Sequence, residues 1–308
     1  MEIRQLEAIV GIDDQGTFSG AADALGTVQS NISNRIARLE RELGTGLVNR
    51  ATGGLTESGE VVVLRARRIL SELGAIAADV SELTSEVRGD VSLGMIGTGG
   101  RWIVPLLLAA QRERLPHVRL RIIEGSNSSL EPQVAHGGLD LAVLASPVVT
   151  PELTETDLFA EDLVLIVERG HPLAGAGPVT FATLAPYELL LPLRGTPLRR
   201  EIDDASHAQG VELRALLEMD GLRTIASLTF DGMGIAILPA SMLSTHLRDK
   251  FVAVHIADLA RRRVVLAGRR FGFPSAPVRA LGALLSDVVR GARNVPDGVY
   301  LPSDTRLP

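Results

Sequence analysis

The sequence predicts a multidomain α+β chain with a small helical unit at the N-terminus, one long helix after it, and a larger region of two α/β lobes. Three observations carry this reading. Apolar residues recur at helical spacing through residues 4–43; residues 57–87 hold no proline and two glycines, Gly59 in the first turn and Gly74; and beyond residue 89 short apolar strand candidates alternate with helical segments. With 308 residues and 45% hydrophobic content the chain can fill about two domain cores.

In the first unit, Leu6, Ile9 and Val10 share one helix face, and Gly16 breaks that helix. Ser19 is placed to cap a second helix whose Ala21, Ala22 and Leu25 form a small-residue packing face, and Gly26 supplies the next turn. A third helix from Val28 to Leu43 gathers Ile32, Ile36, Leu39 and Leu43 in one arc, leaving Ser30, Asn34, Arg38 and Arg41 opposite. A hydroxyl, amide and guanidinium face after a Gly turn is what reading the DNA major groove requires. An ordinary solvated face has the same composition, so periodicity alone leaves both readings open. Leu47 to Arg50 and Leu55-Thr56 flank Thr52-Gly53-Gly54, which fits a short two-stranded wing.

The long helix is expected to run from Glu57 to Val87, about 45 Å. Val62, Ala66, Ile69, Leu73, Ile76, Val80, Leu83 and Val87 alternate at spacings of four and three, a heptad seam. Such a narrow stripe suits a partner helix, the alternative being packing on its own domain. Strands are expected at residues 91–96, 118–123, 139–144, 163–168, 215–219, 234–239 and 263–267, with helices such as 103–114 and 222–231 between them. That order implies mainly parallel sheets in two lobes. Residues 294–308, polar and proline-containing, read as a loose tail.

Composition removes several functions. The chain has no cysteine, so it carries neither disulfides nor a thiol redox sensor. The net charge of −6 offers nucleic acid no global attraction, and any DNA contact must come from a local basic face. Lys250 is the only lysine, which excludes a Walker-type phosphate loop, and Trp102 stands where a dinucleotide fingerprint beginning Gly97-Thr98-Gly99 needs its third glycine. The six histidines never pair at metal-ligand spacing. No catalytic residue, metal site or cofactor is therefore expected. No apolar run reaches the roughly 18 to 20 residues of a membrane span, and the start, with Glu2 and Arg4, lacks a signal peptide's apolar core, so a cytoplasmic protein without a membrane partner is expected.

The run Phe18-Ser19-Gly20-Ala21-Ala22-Asp23-Ala24-Leu25, then Gln29-Ser30-Asn31-Ile32-Ser33, Ile36, Leu39-Glu40, Leu43-Gly44, Leu47, Arg50 and Leu55-Thr56-Glu57-Ser58-Gly59, resembles the winged helix-turn-helix of LysR-type transcriptional regulators. Val28 stands where that family usually has Thr or Ser, leaving capping to Thr27, and Asn34 where Arg is frequent. Glu124-Gly125 with the Ser126-Asn127-Ser128-Ser129 loop, residues 138–143 and residues 232–239 resemble the family's effector-binding region. The resemblance implies a winged helix-turn-helix over 1–58, a linker and dimerisation helix over 59–88, and a periplasmic-binding-protein-like effector domain over 89–293. Lobe 1 would comprise 89–161 and 268–293, and lobe 2 residues 162–267. It further implies a homodimer or homotetramer on promoter DNA, contact with RNA polymerase, and control by a small molecule between the lobes. An enzyme or a free-standing solute-binding protein would leave the helix-turn-helix and the heptads unexplained.

For DNA, Gln29, Ser30, Ser33 and Asn34 are the candidates for base edges, and Arg35, Arg38 and Arg50 for phosphates. For dimerisation the candidates are Val62, Ile69, Leu73, Ile76, Val80 and Leu83. Ligands of open α/β lobes sit beyond strand carboxyl ends. That singles out Thr98, Gly99, Gly100 and Arg101, then Ser126, Asn127 and Ser128, and across the cleft Arg194, Thr196, Phe230 and Gly232. Arg101 and Arg194, if both line the cleft, favour an anionic effector; pairing with acids such as Glu124 or Asp231 would leave it neutral.

Overall fold

Leu6, Ile9 and Ile12 bury one face of α1 (Ile3–Gln15), which Gly16 ends at φ 69°, where a side chain would be strained. The computed structural model describes residues 1–50, 52–82 and 86–302. Helix α2 (Phe18–Ala24) lays Ala21 against Gly11 of α1, so close that a Cβ on Gly11 would lie 3.4 Å from that of Ala21. Its cap is Thr17, whose hydroxyl accepts the Gly20 N–H at 3.0 Å, and not Ser19, which lies inside the first turn. Helix α3 (Gln29–Leu43) buries Ile32, Ile36 and Leu39 as the spacing predicts, but Leu43 at its end stays exposed. Val28 is its N-cap and offers no side-chain bond; Thr27 instead accepts from the Asn31 side-chain amide at 3.0 Å. The wing is reduced to one antiparallel bridge, Val48 with Leu55, closed by Gly53 at φ 76°.

Helix α4 (Glu57–Glu82) is 26 residues long, ~39 Å. Val87, expected on this helix, is not helical and packs on the core of lobe 1. The first half of α4 belongs to the N-terminal core, where Val63 and Ala66 are buried and Val62 partly so. Farther along, Ala78 is buried and Asp79 accepts the Ala276 N–H at 2.8 Å. Ile69, Leu73, Ile76 and Val80 face outward, uncovered within this chain. Leu83 of the seam lies outside the described residues.

Lobe 1 is built from β1 (Gly89–Ile96), α5 (Gly97–Arg114), β2 (Val118–Gly125), α6 (Asn127–His136), β3 (Leu141–Ala145) and β4 (Leu153–Glu161). Lobe 2 follows with β5 (Leu163–Glu168), α7 (Phe181–Leu184), β6 (Glu188–Pro192), α8 (Pro197–Ala208), β7 (Arg214–Met219), α9 (Leu222–Phe230), β8 (Ile235–Pro239) and β9 (Phe251–His255). The chain then returns to lobe 1 as β10 (Arg262–Arg269), α10 (Ala276–Arg290) and β11 (Val299–Tyr300). The sheet orders are β11-β4-β10-β3-β1-β2 and β7-β6-β8-β5-β9.

Both sheets are mixed, not mainly parallel. Strand β10 runs antiparallel to β3 and β4, and β5 antiparallel to β8 and β9. The reason is where the crossovers enter. Val264 pairs with Ala145 at the carboxyl end of β3, and Leu163 with Pro239 at the carboxyl end of β8. A strand entering at that end must run back against its neighbours. The return crossover accordingly lies between β9 and β10, so residues 262–267 belong to lobe 1 and the boundary expected at Gly268 moves upstream.

The tail is not loose through Pro302. Strand β11 pairs with β4 through Val299 with Glu161 and Tyr300 with Ala160, and Val299 and Leu301 are buried. The alternation of residues 299–301 is too short to show as a strand until β4 offers it a free edge.

Candidate functional site

Two regions gather polar side chains on a rigid frame. The first is the outer face of α3. Gln29, Ser30, Asn34 and Arg38 are exposed there, with Ser33 and Arg35 half-buried at its margin. The Ser19 hydroxyl donates to Gln29 Oε1 at 3.3 Å, holding that amide in place between α2 and α3. Glu40, on the inner side of α3, accepts the Leu47 N–H at 2.8 Å and the Val48 N–H at 3.3 Å, and its other oxygen lies 3.4 Å from the exposed guanidinium of Arg50. One carboxylate thus fixes the wing, and Arg50 on it, to the helix. Sequence reading passed over Glu40 as a positioning residue because the bonds it makes are to backbone.

The second region is a cleft of about 840 Å³ between the lobes, at the carboxyl ends of β1, β2, β6 and β7. Helices α5, α6, α8 and α9 all begin on it. Ser126, Asn127, Ser128 and Thr196 of the expected set line this cleft. Each is already engaged: Ser126 caps α6 and meets the Ser128 hydroxyl at 2.9 Å, Asn127 exchanges two bonds with the Ala145 backbone, and Thr196 caps α8 while donating to Leu193 O at 2.8 Å.

The other candidates lie elsewhere. Gly99 and Gly100 are buried in the first turn of α5, which starts at Gly97 and not at Ile103, as the glycines had suggested. Thr98 is in the same turn. Arg101 does not line the cleft; its guanidinium lies 5.1 Å from the ring centroid of Phe230, and Phe230 stacks edge-on with Phe251. Gly232 forms the turn after α9 at φ 76°. Arg194 is turned to Glu218 at 3.3 Å. The two guanidiniums behind the anionic expectation therefore do not converge, which removes its geometric basis.

What sequence reading missed is the charged lining. Glu124 and Arg223 form an ion pair of 2.7 Å, and Arg262, Glu201 and Asp220 complete the charged set. Arg262 is held by Glu161, with Nη2 at 2.6 Å and Nε at 2.9 Å, and the second oxygen of that fully buried carboxylate accepts the Ser241 N–H at 3.2 Å. Glu201 has no hydrogen-bond or ion-pair partner among the described residues. Burial raises its carboxyl above the usual range, with Arg262 opposing and Glu161 reinforcing the rise. Helix α8 is itself anchored by Arg199, whose buried guanidinium donates to Pro192 O at 2.9 Å, Asp203 at 2.8 Å and Glu218 at 2.8 Å. Hydrogen bonding from Arg199 holds the Glu218 carboxyl below the usual range. The adjacent crossover is clasped too: Asp162 takes Arg261 at 3.0 Å and the Tyr300 hydroxyl at 2.8 Å. Among the described residues no group of acids and histidines is arranged to hold a metal ion, and no helix is long and apolar enough to cross a membrane.

Residues 3–60 match the model for the "Bacterial regulatory helix-turn-helix protein, lysR family", and residues 84–290 that for the "LysR substrate binding domain". A "Probable hydrogen peroxide-inducible genes activator" of Mycobacterium leprae is 32% identical over 298 residues, covering 95% of this chain and 96% of that protein. The "DNA-binding transcriptional dual regulator OxyR" of Escherichia coli K12 is 28% identical over 94% of this chain and 95% of its own length. Among solved structures, a full-length OxyR variant from Pseudomonas aeruginosa superposes with a TM-score of 0.73 at 24% identity, covering 96% of each chain. Full-length CbnR complexed with its target DNA gives 0.66 at 25% identity, over 94% of this chain and all of that one (100%). With a DNA-binding head, a two-lobed effector domain and relatives of the same kind along nearly its whole length, the chain belongs to the LysR family of bacterial transcriptional regulators.

Proposed function

We propose that this regulator reads promoter DNA with α3 and is switched by a small molecule bound in the interlobe cleft. The observation that carries the proposal is the cleft itself: about 840 Å³, open between the two lobes, with four helices starting on it and polar side chains lining it. Gln29, Ser30, Ser33 and Asn34 read base edges, while Arg35, Arg38 and Arg50 neutralise phosphates. The exposed stripe Ile69, Leu73, Ile76 and Val80 supports a homodimer or homotetramer joined through α4. The regulator works in the cytoplasm, and ligand alters subunit orientation and thereby contact with RNA polymerase, which requires different affinities for the two arrangements.

Two of the relatives are named for induction by hydrogen peroxide or as OxyR. With no cysteine, this chain cannot respond to peroxide by thiol oxidation, so the reading rests on ligand binding. Footprinting upstream of the protein's own gene, with and without candidate metabolites, tests it. The expected result is a protected site whose extent changes with one metabolite. Protection that no metabolite alters would sink the effector reading, and absence of protection on any promoter fragment would sink the DNA reading.

A further inference from the structure

The charges of the cleft pair off unevenly. Both lining guanidiniums are taken by carboxylates of this chain, Arg223 by Glu124 at 2.7 Å and Arg262 by Glu161 at 2.6 Å. Glu201 and Asp220 remain with no partner among the described residues. A surplus of acceptors is left facing the space.

Helix N-termini attract negative charge, and four of them on one cleft would ordinarily argue for an anion. Here three of the four already have an oxygen in attendance. Ser126 caps α6 and Thr196 caps α8. The Glu124 carboxylate lies over the start of α5, so close that a Cβ on Gly97 would be 2.5 Å from its Oε1. An anionic ligand would have to displace these groups, whereas a cation would meet carboxylates waiting for a donor.

We infer that the cleft takes a cationic, donor-rich small molecule, an amine or amidine, seated on the Glu201 carboxylate with Asp220 as second acceptor and its carbon skeleton against Ile96, Met219 and Leu222. This rests on the cleft being the effector site. A half-buried carboxylate without a partner is costly, and an ammonium or amidinium against it relieves that cost through a charge-assisted hydrogen bond. Burial raises the Glu201 carboxyl, the direction expected of a group lacking its cation.

Thermal-shift and calorimetric titration of the full chain with putrescine, agmatine and benzylamine, beside succinate and benzoate, tests the class. The expected result is binding of at least one amine or amidine and of neither acid, with Glu201→Gln weakening it on the order of tenfold or more and Glu201→Asp less. Binding of the acids, abolished in Arg223→Gln, overturns the inference in favour of an anion. So does the failure of all three cations to bind, or their binding equally well to Glu201→Gln. If that variant does not fold, the preference of the unaltered chain between cations and acids decides alone. Binding to a promoter fragment is measured on the same preparations. Intact DNA binding without cation binding removes this inference alone, whereas a cation that binds through Glu201 without altering DNA binding removes the effector reading instead.

Discussion

Glu124 at the end of β2 and Arg223 in the first turn of α9 meet at 2.7 Å, one side chain from each lobe. Both are substantially exposed, so the pair contributes only about 0–1 kcal/mol to stability. Its effect is on the lobes. Arg223→Gln should shift the melting temperature by no more than about 2–4 °C, yet speed hydrogen exchange at the starts of α5 and α9, where the two side chains lie. Unchanged exchange at both helix starts would show that the pair does not hold the cleft.

On the DNA side, two variants separate reading from anchoring. Gln29→Ala should cost about 1–3 kcal/mol at the specific site and relax base preference there. Arg50→Ala should weaken all sequences alike and lower the salt slope by about one. Glu40→Ala removes the acceptor of the Leu47 and Val48 N–H groups and should resemble Arg50→Ala in DNA binding while also destabilising the head by about 1–3 kcal/mol. Fluorescence anisotropy against salt and a base-substituted operator series distinguish the three.

Ile69 and Ile76 are 44% and 61% exposed on α4. Replacing both by Asp should dissociate the oligomer in sedimentation while leaving the secondary structure and melting of the separated chain nearly unchanged, because neither residue supports the core of its own chain. An intact oligomer in the double variant would exclude this stripe as the interface.

Asp140 accepts the Ser92 N–H at 2.8 Å, and burial raises its carboxyl above the ordinary value despite Arg269 and Arg121 nearby. A raised carboxyl binds its proton more tightly when folded. The stability it contributes is therefore present below the ordinary carboxylate pKa and lost as pH rises through the raised one. Asp140→Asn, uncharged throughout and still able to accept from Ser92, should exceed the parent in stability near neutral pH, and the difference should shrink in acid. Urea midpoints measured across that range check the sign.

Much of the fold was legible because burial follows local periodicity. Ile32, Ile36 and Leu39 could be read as the inner face of α3 from spacing, and Leu163–Glu168 as a strand from its unbroken apolar run. Errors arose where the exact end of a turn or a distant segment decides. Whether Thr17 or Ser19 caps α2 depends on where the turn from α1 ends, and β10 changes lobe only because β3 and β4 offer it edges. Gly99 and Gly100 resembled a loop, yet they sit in a helix turn against which Met95 and Arg223 pack; a Cβ on Gly100 would lie 3.3 Å from the Arg223 guanidinium. The cleft loops at Ser126 and Thr196 were found by their place after strands. The Glu124–Arg223 pair, joining separate lobes, has no local signature at all.

Residues 299–301 work as a splint on the crossover between lobes. A protein shortened to residue 293 would lose β11, expose the backbone edge of β4 at Ala160 and Glu161, and deprive Asp162 of the Tyr300 hydroxyl that Arg261 shares from the other side. An uncovered strand edge is a template for another chain's backbone. Trimming these residues as disposable would thus convert a hinge support into a self-association surface, and aggregation of such a fragment would reflect the missing strand and not an unstable lobe.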